Sequence, residues 1–172
     1  MRASRIGLGA TVICLMLLSL TAAAGGASAV APAALPQSTI HGVDFQIRTQ
    51  ADTNFCLEAA PGTTPGRTVT LQQCGSPSAQ RFAMSAEADG LNEMLDSQGM
   101  CLDVATVERG DGNPVPVTLC DHSKAQKLSY TGTGLLQFRK GCLQVAGAAA
   151  NAPLTLAKCD VTKTIQRWLV TH

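Results

Sequence analysis

Six of the seven cysteines lie between positions 56 and 159, and their chemistry limits what the chain can be. An even number of cysteines favours a disulfide framework if the chain is exported, which its first residues, described below, predict. A structural zinc site is the alternative, but the chain has no Cys-x-x-Cys pair and its three histidines are scattered. We therefore expect structural cysteines and no metal site. The six residues are Cys56, Cys74, Cys101, Cys120, Cys142 and Cys159.

Catalytic patterns are not evident in the sequence. Hydrolysis of a glycosidic bond needs two facing carboxylates, and no such pair stands out among the 12 acidic residues. A nucleophilic triad needs a histidine beside an activated serine or cysteine. His41, His122 and His172 are expected in a linker, in a turn and at the chain end, exposed to solvent. No nucleotide, cofactor or metal motif occurs, so we expect no enzyme and no cofactor.

The first 29 residues have the three parts of a signal peptide. Arg2 and Arg5 precede an apolar stretch from Ile6 to Leu20, and small residues follow up to Ala27-Ser28-Ala29. The apolar stretch is shorter than the roughly 20 residues of a spanning helix, which disfavours a membrane anchor. We predict cleavage after Ala29, secretion, and a linker over residues 30–42 that is rich in Ala, Val and Pro near its start.

The charge of the mature chain argues against two classes of partner. The whole chain has 13 Lys and Arg against 12 Asp and Glu. Loss of Arg2 and Arg5 with the signal peptide leaves 11 basic residues and a net charge of −1. A chain without a basic excess has no field to hold nucleic acid or an anionic membrane surface. We expect neither as a partner.

The sequence contains three copies of one unit, at about residues 43–87, 88–132 and 133–172. The two cysteines of a unit are 18, 19 and 17 residues apart, and the first is followed by leucine each time. Eight residues before each second cysteine stands a residue that tolerates positive φ: Gly66, Gly112 or Asn151. Each unit closes on a related triplet, namely Gln80-Arg81-Phe82, Gln126-Lys127-Leu128 or Gln166-Arg167-Trp168.

Each unit is predicted to contain four short strands. Apolar residues alternate with others ahead of the second cysteine, at Val69 and Leu71 and at the matching positions of the other units. A further apolar stretch precedes each first cysteine, and the segment Gln-x-aromatic is expected to form the fourth strand. About twelve strands make an all-β domain over residues 43–172. Propellers close with about four to eight blades, so three units favour a β-trefoil.

At these residues the sequence resembles the ricin-type lectin family, also known as family 13 carbohydrate-binding modules. Cys101-Leu102-Asp103-Val104 and Gln166-Arg167-Trp168 match the family's motifs fully, and the triplets beginning at Gln80 and Gln126 match in part. The resemblance covers roughly residues 43–172 and implies a β-trefoil. It also implies one disulfide in each repeat, which pairs Cys56 with Cys74, Cys101 with Cys120 and Cys142 with Cys159.

The resemblance further implies where a sugar would bind. Members of the family accept sugar hydroxyls on the Asp of Cys-Leu-Asp-Val and stack a ring, two residues before the second cysteine, on the sugar. The acidic positions here are Glu58, Asp103 and Gln144, and the ring positions are Gln72, Thr118 and Ala157. Only the second repeat keeps the Asp. We therefore expect a degenerate carbohydrate site formed by Asp103, Asn113, His122 and Gln126.

A purely structural interpretation of the same residues is the alternative. Asp103 would then accept hydrogen bonds from backbone N–H groups of the loop over residues 110–113. Gln80, Gln126 and Gln166 would be buried amides that bridge backbone strands. Phe82, Leu128 and Trp168 are expected in the core.

Two functions from different classes remain open. The resemblance implies a secreted carbohydrate-binding protein with weak affinity for galactose- or xylose-type glycans. The absence of all three rings favours a β-trefoil that has lost sugar binding and contacts a secreted protein instead, for instance as an inhibitor. Tyr130 or another loop residue could replace the missing ring. Fold alone does not decide between them.

Overall fold

The computed structural model describes residues 42–87 and 89–172, with side chains from Asp44 onward. The predicted signal peptide and nearly all of the predicted linker lie outside these residues. Twelve strands and two short 3₁₀ turns make up the described chain, and no helix in it could span a membrane. The strands are β1 (Gly42–Thr49), β2 (Phe55–Ala59), β3 (Arg67–Gln73), β4 (Phe82–Ala86), β5 (Asn92–Asp96), β6 (Cys101–Leu102), β7 (Pro116–Thr118), β8 (Lys127–Tyr130), β9 (Leu136–Phe138), β10 (Gly141–Val145), β11 (Leu154–Ala157) and β12 (Trp168–Thr171).

Six of these strands form a closed barrel. β1 pairs with β4, β4 with β5, β5 with β8 and β8 with β9, all antiparallel. An isolated bridge between Leu135 and Arg167 connects the β9 region to the start of β12, and β12 returns to β1. The other six strands form three hairpins, β2–β3, β6–β7 and β10–β11. A six-stranded barrel with three hairpins is a β-trefoil, as the threefold repeat predicted.

The three hairpins carry the three disulfides, and all three predicted pairings are confirmed. Cys56 is bonded to Cys74, Cys101 to Cys120 and Cys142 to Cys159. The positive φ expected before the second cysteine is also present, at 89° for Gly66, 75° for Gly112 and 64° for Asn151. A residue with a large or β-branched side chain would be strained there.

The core fills the barrel with side chains of all three repeats. Its largest fully buried members include Trp168, Phe45, Phe82 and Phe138, together with leucines from every repeat. Trp168, Phe82 and Leu128 occupy corresponding positions after the three Gln residues, and all are in the core as predicted. The Gln itself is not part of a strand. Gln80 and Gln166 end the 3₁₀ turns Ser78–Gln80 and Thr164–Gln166, and the strand begins after them.

Candidate carbohydrate site

Asp103 lies where the second hairpin leaves the sheet. Cys101 and Leu102 form the two-residue strand β6, and the backbone N–H of Asp103 donates to the carbonyl of Pro116 at 3.0 Å. Asp103 is a buried residue with 8% of its surface exposed. A carboxylate in such a place needs hydrogen-bond donors, because burying an unpaired charge is costly.

Three donors satisfy this carboxylate. The backbone N–H of Ala105 donates to Oδ1 at 2.6 Å. Thr118 Oγ1 donates to Oδ2 at 3.1 Å, and Gln126 Nε2 donates to the same oxygen at 3.0 Å. The loop over residues 110–113 contributes none of these bonds, so the structural interpretation of Asp103 was wrong about its partners. An ionised carboxylate has about four acceptor positions. One position, on Oδ1, therefore remains for a further donor.

Gln126 holds this arrangement together from inside the fold. It is 0% exposed, and its Nε2 also donates to the carbonyl of Leu119 at 2.9 Å. Its Oε1 accepts the backbone N–H of Asp121 at 2.8 Å. The side chain thus joins the residues on both sides of Cys120 to Asp103. A side chain with no exposed surface cannot touch a sugar, so Gln126 positions Asp103 and does not bind ligand.

The other two repeats have a buried glutamine with the same hydrogen bonds as Gln126. Gln80 donates to the carbonyl of Gln73 at 2.8 Å and accepts the N–H of Gly75 at 2.8 Å. It also donates to Glu58 Oε2 at 3.0 Å. Gln166 donates to the carbonyl of Lys158 at 2.9 Å, accepts the N–H of Asp160 at 2.8 Å and donates to Gln144 Oε1 at 3.1 Å. Each repeat therefore presents one acceptor side chain at the same place, and only the second presents Asp.

The ring position offers no aromatic surface in any repeat. Thr118 turns its hydroxyl onto Asp103, and Gln72 donates to Asn151 Oδ1 at 2.9 Å. The third position is Ala157. Tyr130, considered above as a substitute ring, donates its hydroxyl to the carbonyl of Trp168 at 2.9 Å, and burial raises its pKa. Tyr130 therefore belongs to the contact between β8 and β12.

Two of the predicted site residues are held elsewhere. The backbone N–H and Nδ2 of Asn113 donate to the carboxylate of Asp111 at 2.8 and 3.0 Å. His122 Nδ1 lies 3.1 Å from Glu93 Oε2. Among the hydrogen bonds of the described residues, none joins either side chain to Asp103. Of the predicted partners, the structure brings only Gln126 to Asp103.

Thr118 is the contact that sequence reasoning missed. The sequence marks it only as a position that lacks its ring, although a hydroxyl there can reach the acidic residue on the neighbouring strand. Cys101 and Thr118 are directly paired across β6 and β7, which places Thr118 close to Asp103. The sequence could have indicated this contact, because the segment after the first cysteine and the segment before the second cysteine were both predicted strands of one unit, and paired strands bring their side chains together.

The turn after Cys120 is closed by Asp121. Its Oδ1 accepts the backbone N–H of Ser123 at 2.8 Å, and its own backbone N–H is bound by Gln126. The pKa of Asp121 is held below its ordinary value of 3.8, chiefly by the hydrogen bond from the Ser123 backbone. A depressed pKa means that the ionised form stabilises the fold above the ordinary pKa and that this contribution is lost as the pH falls through the folded value.

We expect Asp121→Asn to show a smaller loss of stability in acid than the wild type. Asn can still accept the Ser123 N–H but has no proton to take up. The midpoints of urea unfolding of the two proteins should converge as the pH falls from about 5 to 2. Asp160→Asn is a parallel variant, since Thr162 lowers the pKa of Asp160 through its hydroxyl and its backbone N–H. Profiles that stay parallel through this range would contradict the assignment.

The second and third repeats match a known protein family. The family model of the ricin-type β-trefoil lectin domain matches residues 92–172. Residues 92–172 are therefore similar to ricin-type β-trefoil lectin domains. The match spans most of the second repeat and all of the third, and it includes Asp103 and both Gln126 and Gln166. No curated protein matches the chain significantly.

Solved structures support the β-trefoil fold over about three quarters of the chain. A designed threefold-symmetric protein, ThreeFoil, is superposed with a TM-score of 0.68 at 17% identity, over 75% of this chain and 98% of that protein. The C-half of an earthworm R-type lectin in complex with GalNAc gives 0.59 at 10% identity, over 76% and 98%. A Polyporus squamosus lectin gives 0.63 at 14% identity, over 76% and 48%. At these identities the likeness concerns the fold.

Several of the matched proteins are much longer than the lectin domain. This chain covers 17% of a mosquitocidal holotoxin and 31% of an exo-β-1,3-galactanase from Clostridium thermocellum. The domain is therefore similar to one part of those molecules, and the similarity does not extend to their other parts.

Proposed function

We propose that the protein is a secreted, non-enzymatic lectin-like protein with one weak carbohydrate site, at Asp103 in the second repeat. Galactose- and xylose-type glycans are the ligands that the resemblance favours. The observation that carries the proposal is the carboxylate of Asp103, fixed by Gln126 and Thr118 with one acceptor position left on Oδ1. The match of residues 92–172 to a lectin domain family supports it.

The geometry favours weak binding. A hydrogen bond exchanged with water contributes about 1 kcal/mol, and a single free acceptor on Asp103 offers few of them. The ring that would add apolar burial is replaced by Thr118, which is itself engaged. Binding in the range of about 1 mM corresponds to about 4 kcal/mol and is the affinity we expect.

The partners of Asp103 also favour binding over catalysis. They are an amide, a hydroxyl and a backbone N–H, and none of these groups can act as the second carboxylate that glycoside hydrolysis requires. The same arrangement recurs with Glu58 and Gln144, as expected for a framework of the fold.

Sugar titration with a matched pair of variants tests the proposal. We expect calorimetry to show saturable binding of galactose or xylose oligomers to the purified protein. The variant Asp103→Asn should lose that binding. Asn preserves the shape of the side chain and keeps one acceptor oxygen for Gln126, as the amide of Gln144 does for Gln166. Only the acceptor for the Ala105 N–H is lost, so the fold should persist. Glu58→Gln changes the corresponding acceptor of the first repeat and should leave binding unchanged.

Two outcomes would contradict the proposal. One is an affinity that is the same in Asp103→Asn and wild type, which would place the sugar elsewhere. The other is no binding at millimolar sugar together with capture of a defined secreted protein, which would favour the protein-binding alternative.

A further inference from the structure

Glu93 is a buried acid whose charge is only partly compensated. It lies on β5, with its side chain 2% exposed, and its Oε1 has no hydrogen-bond partner. Among the side-chain nitrogen and oxygen atoms that the structure describes, no other is buried without a partner. Removal of a carboxylate from water is unfavourable unless cations or donors satisfy both oxygens. An unpartnered Oε1 therefore requires an explanation.

The fold does not require a carboxylate at this place. Gln46 on β1 is also buried and also reaches the turn after a second cysteine, where it donates to the carbonyl of Gly75 at 2.5 Å. Its other partners are Gln80 and Arg48, so the amide is satisfied at both ends. A neutral side chain is thus sufficient for the first repeat. The second repeat has a charged residue in the comparable contact.

His122 brings an imidazole to the open side of this carboxylate. Its backbone has a φ of 57°, in the left-handed region, which is uncommon for a residue with a side chain. Its Nδ1 lies 3.1 Å from Glu93 Oε2, while the ring remains 69% exposed. The turn that carries it is fixed by the bond between Gln126 and the N–H of Asp121.

Glu87 supplies a third ligand atom. Its Oε1 lies 3.8 Å from His122 Nδ1, and one oxygen or nitrogen from each of Glu87, Glu93 and His122 lies within 4.8 Å of the others. Ligands at about 2.0–2.1 Å from a tetrahedral metal are about 3.3 Å apart. The observed separations of 3.1 and 3.8 Å are on either side of that value. Small side-chain movements would bring these two pairs of atoms to coordination distance.

We propose that Glu87, Glu93 and His122 form a binding site for a divalent transition metal ion, with Zn²⁺ the best match. A mixed imidazole and carboxylate set suits zinc better than calcium or magnesium, which prefer oxygen ligands only. The metal would neutralise the buried charge of Glu93 and would leave a fourth position open towards solvent, on the exposed side of the His122 ring.

One neighbouring cation limits the affinity. Lys127 Nζ lies 2.8 Å from Asp89 Oδ2 and 3.8 Å from Glu87 Oε2. The charge of Lys127 repels a second cation. Asp89 forms the shorter ion pair with Lys127, and the Glu87 oxygen near His122 is Oε1, not the Oε2 that lies near Lys127. The nearby sulfur atoms do not compete, because Cys101 and Cys120 form a disulfide and provide no thiolate.

Titration of the purified, oxidised protein with zinc chloride tests the site. We expect one Zn²⁺ per chain by calorimetry, a rise of the melting temperature with added metal, and a shift of the His122 ring signals in NMR. Glu93→Gln removes the charge and keeps the shape, and His122→Asn places a residue that tolerates positive φ in the turn. Each substitution should abolish the one-to-one isotherm.

One further variant separates this site from other sources of binding. His172→Gln removes a histidine outside the cluster and should leave zinc binding unchanged. His122→Asn alters an exposed side chain, so it still tests the site if Glu93→Gln fails to fold. Absence of binding by the wild type, or an isotherm that survives in His122→Asn, would overturn the proposal.

Discussion

Replacement of Trp168 by alanine should lower the free energy of unfolding by about 3–5 kcal/mol. The indole is fully buried in the core, and its Nε1 donates to the carbonyl of Leu143 at 3.2 Å. Alanine leaves a cavity in the core and removes the hydrogen bond from the indole to that carbonyl. The neighbouring substitution Leu169→Ala is the control, because Leu169 is 37% exposed and its loss should cost less than about 1 kcal/mol.

Urea unfolding measures both variants. The result matters for the interpretation of the repeats, since Gln166-Arg167-Trp168 is the one triplet of the three that matches Gln-x-Trp in full. If Trp168→Ala were as stable as Leu169→Ala, the barrel would not depend on the residue after the third Gln. The three triplets would then have a different role from the one that the fold indicates.

Removal of the Cys101–Cys120 disulfide should cost about 3 kcal/mol and also abolish sugar binding. The stability loss follows from opening a loop with a sequence separation of 19. The loss of binding follows from the position of Cys120. Within two residues of it lie three groups that hold Asp103 directly or through Gln126: the Thr118 hydroxyl, the Leu119 carbonyl and the Asp121 N–H.

Removal of the Cys142–Cys159 disulfide is the matched control. Its sequence separation of 17 predicts a similar loss of stability, but it holds the third repeat. Both double Cys→Ala variants should be compared by urea unfolding and by sugar titration at a temperature where both remain folded. We expect binding to survive in the third-repeat variant alone. Equal loss of binding in both variants would mean that sugar binding depends on the overall stability of the domain. It would then not depend on the hydrogen bonds around Asp103.

The architecture followed from the sequence because it depends on repetition. Three patterns recur in every repeat: the cysteine spacing, the alternating apolar residues, and a turn former at Gly66, Gly112 or Asn151. Each structural prediction is therefore supported by three independent segments. The Gln-x-aromatic segments were less accurately predicted. The buried Gln residues satisfy backbone groups on both sides of a disulfide instead of pairing in a strand, and this depends on contacts seven to eight residues apart.

The candidate sites were harder to predict, because they depend on side-chain direction. Thr118 and Gln126 both reach Asp103, whereas Asn113, which lies in the loop of the same hairpin, turns to Asp111. Glu93 was hidden for another reason. An acid between the buried residues Asn92 and Met94 on a strand is expected on the outer face of the barrel, in solvent. The turn carrying His122 covers it, and no sequence pattern predicts that turn's left-handed φ.

The most direct test of the sugar site is an amide NMR titration of the purified protein with galactose and xylose oligomers. We predict saturable shifts confined to the second repeat, at residues 103–105 and 118–126, and their disappearance in Asp103→Asn. Shifts centred on Glu58 or Gln144, or an unchanged spectrum at millimolar sugar, would contradict a site at Asp103.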